Sequence, residues 1–257
     1  MYKRQVIVCS HSGATPEAVA AAKIAQARGA LTVTLTHNAA AEIAAFADRN
    51  IVYEWGDESS VQDNPMAITL ALSLEILQHV EGYAHYRDFR EATRQLDDMV
   101  AAVRSKIRAQ AEAFAEKYRD AQLIYVLSSG ASYGHAYGFA IGSLMEMQWL
   151  DASSIHSGEF FHGPFEITDE QTNFLVLLNE GRTRPLDERV IAFLERYANK
   201  FEVIDARALG LGTLPESVVE FFNPVLFYGA LCEYREALAT SRDHPLETRR
   251  YMGKVPY

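Results

Sequence analysis

Cysteine is scarce in this sequence, because the 257 residues contain only Cys9 and Cys232. Two distant cysteines without CxxC spacing favour neither a disulfide framework nor a zinc site, and a reducing cytoplasm is the expected compartment. Long apolar runs are also missing. The most apolar helix-like stretch, ITLALSLEIL, contains Glu75, and the apolar run near the start ends after four residues. Neither a membrane span nor a signal peptide is therefore predicted.

Basic residues are outnumbered: 24 Lys and Arg stand against 34 Asp and Glu, which gives a net charge of -10. A nucleic-acid surface needs an excess of positive charge, so nucleic acid is not an expected partner. A local basic pocket for a small anion stays compatible with this balance. The sequence has no HExxH, no CxxC and no dinucleotide-type GxGxxG, so neither a metal nor an organic cofactor is predicted.

Strand-like and helix-like segments alternate through the first 88 residues. The predicted strands and helices there are, in chain order, VIVC, PEAVAAAKIAQARG, LTVTLT, AAEIAAFADR, IVYEW and DNPMAITLALSLEILQHV. The last helix is opened by Asp63 or Asn64, with Pro65 inside its first turn. A long charged helix over residues 90–118 follows, and we place the boundary between two modules, 1–88 and 89–257, ahead of it.

The same alternation returns in residues 89–257. The predicted segments are LIYVLSS, GASYGHAYGFAIGSLMEMQWL, NFLVLL, ERVIAFLERYA, FEVIDA and the helix VVEFFNPVLFYGALCEYREALAT, with a break expected near Pro224. Alternation of this kind predicts an α/β protein with parallel sheets flanked by helices. Ligands of such folds bind at the carboxyl ends of the strands.

An internal repeat relates the two modules. A shift of 168 residues aligns VIVCSHSGATPEAV with FLVLLNEGRTRPLD without a gap and places Gly13 over Gly181. Two similar modules are the simplest explanation of this match.

The first copy of the repeat has hydroxyl side chains where a strand passes into a helix. Ser10, Ser12 and Thr15 surround Gly13, and the N-terminus of a helix favours an anion. The second copy has Leu178, Glu180 and Thr183 instead, and the carboxylate of Glu180 would repel a phosphate. Only the first copy therefore predicts a phosphate cradle. The alternative is that Thr15 merely caps the helix that begins at Pro16.

A second constellation lies in MEMQWLDASSIHSGEFFHGPFEITDE. Glu146 has apolar neighbours in a helical run, an environment that disfavours ionisation and suits proton transfer. His162 follows in a loop that contains glycine and proline. A solvated glutamate and a structural histidine are the alternatives for these two positions.

These residues resemble the sugar isomerase (SIS) domain proteins. The loop S-x-S-G-x-T after a strand, and a Glu sixteen residues before the His of E-F-x-H-G-P, carry the resemblance. Within that family the chain is most similar to the deglycases of phosphorylated Amadori compounds, namely fructoselysine 6-phosphate deglycase and especially 6-phosphofructose-aspartate deglycase. EGYAHYRDF, MEMQW and the terminal HPLETRRYMGKVPY extend the match over nearly the whole chain.

The resemblance implies roles for individual residues. Glu146 and His162 match the catalytic pair. The residues that match substrate-binding positions are Ser10, His11, Ser12 and Thr15 at the phosphate, Ser129 and Ser132 in SSGASYG at the sugar, and Lys254 in the C-terminal tail. Ser12 stands where these deglycases have lysine, and His11 is expected to compensate for the missing charge. His244 is a second candidate in the tail, and a tail that only packs is the alternative.

The resemblance also implies a reaction. A fructosamine 6-phosphate, with aspartate as the favoured amino acid, would be converted to glucose 6-phosphate and a free amino acid without a cofactor. An aldose-ketose phosphosugar isomerase and a non-catalytic sugar-phosphate sensor are the alternative functions. Family members have a further strand, helix and strand before VIVC, so the first module is expected to be incomplete, short by about sixty to seventy residues. A homodimer with sites at or near the subunit boundary is implied as well.

Overall fold

The computed structural model describes residues 4–56 and 59–255. The chain divides into two compact units, Met1–Tyr83 and Ala84–Tyr257, close to the predicted boundary after residue 88. Both units have an α/β architecture, which confirms the predicted fold class. In the described residues, no helix has both the length and the apolar character that are needed to cross a membrane.

The first unit is built on a three-stranded parallel sheet with the order β1-β2-β3. Its elements are β1 (Gln5–Cys9), α1 (Pro16–Ala27), β2 (Leu31–Thr36), a short 3-10 helix (Glu42–Phe46), β3 (Arg49–Val52) and α2 (Pro65–Val80). Helix α2 begins where the sequence predicts, because the Asn64 side chain accepts hydrogen bonds from the N–H groups of Met66 and Ala67. Asn64 rather than Asp63 is therefore the N-cap.

The second unit contains a four-stranded parallel sheet with the order β5-β4-β6-β7. Its elements are α3 (Tyr86–Thr93), α4 (Leu96–Tyr118), β4 (Leu123–Ser128), α5 (Tyr133–Gly138, continued as a π-helix over Phe139–Met147), β5 (Asp151–His156), β6 (Asn173–Leu178), α6 (Arg184–Tyr197), β7 (Lys200–Asp205), α7 (Ala206–Leu209) and α8 (Val219–Ser241). The central strand β6 is buried from Phe174 to Leu178, as expected for a strand covered on both faces.

Two local predictions were wrong because tertiary contacts override the sequence pattern. The predicted helix AAEIAAFADR is only the 3-10 helix Glu42–Phe46, since the Ile43 N–H donates to the carbonyl of Gly13 and ties this segment to the loop after β1. Strand β5 was missed altogether. Its sequence, DASSIH, is largely polar, but it pairs with β4 along all six residues at the edge of the sheet.

Two predicted helix boundaries also differ. The helix expected over 90–118 is divided into α3 and α4, and the Thr93 hydroxyl bonds the carbonyl of Phe89 at the end of α3. The break expected near Pro224 is absent. Proline leaves the carbonyl four residues earlier without its N–H partner, and the Asn223 side chain donates to that carbonyl of Glu220 at 3.0 Å. Helix α8 therefore continues through the proline.

Candidate active site

The loop between β1 and α1 holds the predicted hydroxyl groups together. The Ser10 hydroxyl is 3.1 Å from that of Thr15 and accepts the Gly13 N–H at 3.1 Å. Ser12 accepts the N–H of Ala14. Ser10 is buried, whereas Ser12 and Thr15 are exposed to solvent. The loop is therefore a small cup of hydroxyl groups that opens to solvent at the N-terminus of α1.

The Thr15 side chain does not cap the helix that it precedes. Thr15 stands at the N-cap position of α1, but its hydroxyl faces Ser10 and makes no capping hydrogen bond. Pro16 occupies the first turn and has no N–H. The positive end of the helix is thus left for an anion, which favours the phosphate interpretation over the capping one.

His11 belongs to a cluster of rings beside this loop. Its Nδ1 atom is 2.9 Å from the Tyr53 hydroxyl, and its ring stacks on that of His37 with 5.2 Å between the centroids. Burial and the charge of His37 lower the pKa of His11. His11 is therefore a neutral polar group near pH 7 rather than a cation. Among the described residues, no group of three or more His, Cys, Asp or Glu is arranged to hold a metal ion.

The corresponding loop after β6 is filled by ion pairs. Glu180 accepts hydrogen bonds from the guanidinium of Arg207 at 2.7 and 3.0 Å and also lies 3.5 Å from Arg184. Arg184 in turn forms a bidentate pair with Asp205. The acidic residue at this position is thus bound to the protein's own arginines.

Ser129 and Ser132 are both buried. The Ser129 hydroxyl donates to the carbonyl of Thr183, and it lies 3.4 Å from the amide nitrogen of Asn179. The Ser132 hydroxyl is buried and has no hydrogen-bond partner among the described residues. Ser129 therefore braces the loop after β4, and Ser132 is the one of the two with an unused hydroxyl.

Glu146 lies one residue before the end of the π-helical turn that follows α5. Its carboxylate is 2.9 Å from the Arg249 guanidinium, and the two side chains are 32% and 20% exposed. The apolar environment expected from the sequence is thus only partial, because a cation and solvent both reach the carboxylate. Sequence reasoning missed Arg249. The only signal was the pair of adjacent arginines in RRYMGK.

The C-terminal tail approaches Glu146 through residues other than those predicted. The Lys254 side chain donates to the carbonyl of Arg249 at 2.5 Å. The His244 carbonyl accepts the Gln148 amide at 2.9 Å, and the His244 ring meets the edge of Trp149. Lys254 and His244 therefore hold the tail in place, and Arg249 is the tail residue that contacts Glu146.

The chain segments that lead to Glu146 and to His162 pack on opposite faces of the second sheet. Helix α5 packs on the face that contains His156, whose ring contacts Tyr133. Phe160, two residues before His162, packs with Ile155 and Phe174. Neighbouring residues of a strand point to opposite faces, so α5 and Phe160 lie on different sides of this sheet. His162 itself is exposed to solvent.

Comparisons with known proteins agree with this fold. The SIS domain family matches residues 3–77. The solved structure of a protein described as a phosphosugar isomerase from Salmonella typhimurium LT2 has a TM-score of 0.96 and 42% identity, and covers 98% of this chain and 76% of that chain. The fold and the hydroxyl loop thus define a SIS-domain protein of the phosphosugar class.

Several sequence relatives are deglycases. Fructosamine deglycase FrlB of Bacillus subtilis (strain 168) is 39% identical over 99% of this chain and 78% of its own length. Fructoselysine 6-phosphate deglycase of Escherichia coli O157:H7 is 28% identical over 96% of this chain and 71% of its own length. The chain belongs to the SIS-domain family of phosphosugar deglycases. The resemblance found in the sequence is confirmed.

Proposed function

We propose that this enzyme hydrolyses a 6-phosphorylated fructose–amino acid, with aspartate as the favoured amino acid, to glucose 6-phosphate and the free amino acid. The observation that carries the proposal is the position of Glu146, a partly exposed carboxylate held at the end of a helix by Arg249. Such a carboxylate can accept a proton from a bound sugar and return it.

The phosphate is assigned to the loop of Ser10, Ser12 and Thr15. Hydroxyl groups and the free N–H groups of a helix terminus are suitable donors to phosphate oxygens. Since His11 is neutral near pH 7, these donors would bind the anion largely without the help of a cationic side chain. Ser132, with its buried and unused hydroxyl, is the better of the two candidates in SSGASYG for a contact with the sugar.

The reaction reverses an Amadori rearrangement and then hydrolyses the product. In the open-chain ketose, Glu146 removes a proton from C1 while His162 gives a proton to the carbonyl oxygen on C2, which yields an enolamine. Glu146 then returns its proton to C2, the nitrogen gives up its N–H proton to His162 as the C1–N bond becomes an imine, and water adds at C1. Collapse of that adduct breaks the C1–N bond and releases the amine and the aldose. The atoms balance with water as the only co-reactant.

The homodimer is part of the same proposal. Both catalytic groups must reach one pair of carbon atoms, and the segments that lead to Glu146 and to His162 pack on opposite faces of the sheet within a chain. A second copy of the chain that presents its own exposed His162 would resolve this separation. We therefore propose that each active site combines Glu146 of one subunit with His162 of the other.

The test is incubation of the purified enzyme with a panel of 6-phosphorylated fructose–amino acids. Release of glucose 6-phosphate together with one equivalent of amino acid is the expected result. Interconversion of sugar phosphates without release of amine would replace the proposal with an isomerase. Saturable binding without any turnover would replace it with a sensor.

A further inference from the structure

The segment of residues 242–254, which we call the C-terminal strap, is fixed against the end of the helix that carries Glu146. The strap carbonyl of His244 accepts the buried Gln148 side chain at 2.9 Å. Trp149 contacts two strap side chains, with the His244 ring at 4.5 Å and the Arg250 guanidinium at 4.3 Å. The strap is therefore held at Trp149, three residues from the proposed catalytic carboxylate.

Arg249 is the strap residue that reaches this carboxylate. One of its terminal nitrogens is 2.9 Å from Glu146 Oε1, and the other donates to the strap carbonyls of Leu246 and Thr248. The Lys254 side chain holds the Arg249 carbonyl. A guanidinium has five N–H donors in one plane, and these contacts use only part of them. Arg249 is thus rigidly placed, partly open to solvent and suited to a second carboxylate.

The chemistry of the reaction places a carboxylate at this position. Glu146 is proposed to act at C1, the sugar carbon that bears the amine. In an adduct formed through the α-amino group, the amino acid carboxylate is joined to that nitrogen through a single carbon atom. In an adduct formed through a lysine side chain, four further methylene groups separate the carboxylate from the nitrogen. Only the first kind of substrate holds its carboxylate as close to C1 as Arg249 is to Glu146.

We propose that Arg249 determines specificity by binding the α-carboxylate of a fructosyl amino acid 6-phosphate that is linked through its α-amino group. The inference rests on the proposed function and adds the substrate class to it. When the substrate carboxylate pairs with the remaining donors of the guanidinium, it holds the amine and C1 beside Glu146. A substrate without this carboxylate is oriented less well, so it is expected to lose kcat as well as affinity.

The test compares two substrates that differ in charge and hardly in size: fructosyl-glycine 6-phosphate and fructosyl-glycinamide 6-phosphate. The wild-type enzyme is expected to prefer the glycine adduct by about 50-fold or more in kcat/KM, as expected for a charge-assisted guanidinium–carboxylate pair in a partly buried site. Arg249→Met is expected to remove this preference, mainly by lowering the rate on the glycine adduct. Arg249→Lys keeps the positive charge but loses the planar guanidinium and its paired N–H donors. This variant should therefore retain a smaller preference for the glycine adduct.

Arg250→Met is the matched control, because Arg250 belongs to the same strap but packs on Trp149. It is expected to change both rates alike and to keep the preference. A preference that survives Arg249→Met and Arg249→Lys would overturn the assignment and leave Arg249 as a purely structural contact. Failure of the wild-type enzyme to release amine from either adduct would instead count against the proposed function, so that the two failures are distinct.

Discussion

Gly13 lies directly against Ala41, so that a Cβ atom added at Gly13 would stand 2.3 Å from the Ala41 Cβ atom. It would also stand 2.8 Å from the Thr36 hydroxyl oxygen, and the Gly13 backbone has a φ of +66°. The hydroxyl loop therefore depends on a residue without a side chain at its centre.

Gly13→Ala is expected to lower the free energy of unfolding by about 3 kcal/mol, the sum of the left-handed backbone and the overpacking. Gly29→Ala is the matched control, since Gly29 has a φ of +70° with nothing within 4 Å of the added atom. Gly29→Ala should lower the free energy of unfolding by about 1 kcal/mol. Urea unfolding of both variants measures the difference, and equal losses would contradict the close contact between Gly13 and Ala41.

Active sites shared between subunits predict complementation. Glu146→Gln and His162→Asn are each expected to abolish turnover while substrate binding is kept. When the two variants are refolded together in equal amounts, half of the dimers are mixed, and each mixed dimer has one complete site. About a quarter of the wild-type activity should return. If the mixture stays inactive while mass spectrometry detects mixed dimers, the shared site is refuted.

Asp187 anchors a buried polar network at the start of α6. It has no exposed surface, and it accepts hydrogen bonds from the Ser157 hydroxyl and from the backbone and side chain of Asn179. Asp187→Ala leaves these donors buried without a partner and should lower the free energy of unfolding by about 3 kcal/mol.

Asp169 provides the comparison for Asp187, because it also accepts three hydrogen bonds but lies on the surface. Asp169→Ala should destabilise the protein much less, since water replaces the lost acceptor. Chemical denaturation of both variants measures how much each substitution lowers the free energy of unfolding. A loss at Asp169 as large as that at Asp187 would contradict the role of burial.

Stability is expected to fall in acid because of His135. Burial lowers the pKa of His135 from 6.5 to about 4. Between these values the unfolded chain binds a proton that the folded protein excludes, so the free energy of unfolding decreases as the pH falls through this range and the loss is complete near pH 4. The loss amounts to about 3 kcal/mol at most.

His135→Asn should flatten the pH dependence of unfolding between pH 6.5 and pH 4 relative to the wild type. Thermal or urea unfolding over this range provides the measurement. Identical slopes for His135→Asn and the wild type would mean that His135 is solvated in the folded protein.

The sequence predicts the parallel strands well where burial is continuous. The segment NFLVLL forms β6, and LTVTLT forms β2 with the predicted bounds. Strand β5 could not be found in this way. An edge strand such as DASSIH is recognisable only from its pairing with β4, which is a contact between distant parts of the chain.

The same limit applies to the site. The hydroxyl loop is local in sequence, so its residues and its helix terminus could be predicted. The contact between Glu146 and Arg249 joins residues that are far apart in the sequence. Neither the composition nor a local sequence pattern predicts such a contact. The continuous helix through Pro224 likewise depends on a side-chain hydrogen bond from Asn223 that no helix propensity includes.

Cys9 ends β1, immediately before Ser10, and its thiol is exposed, whereas Cys232 is buried. Partial burial raises the pKa of the Cys9 thiol, so alkylation should be slow at neutral pH and faster in mild base. A maleimide fluorophore would attach to the native chain at the exposed Cys9 thiol, next to the hydroxyl loop. The unmutated enzyme thereby offers its own labelling position for optical titration of anions that arrive there.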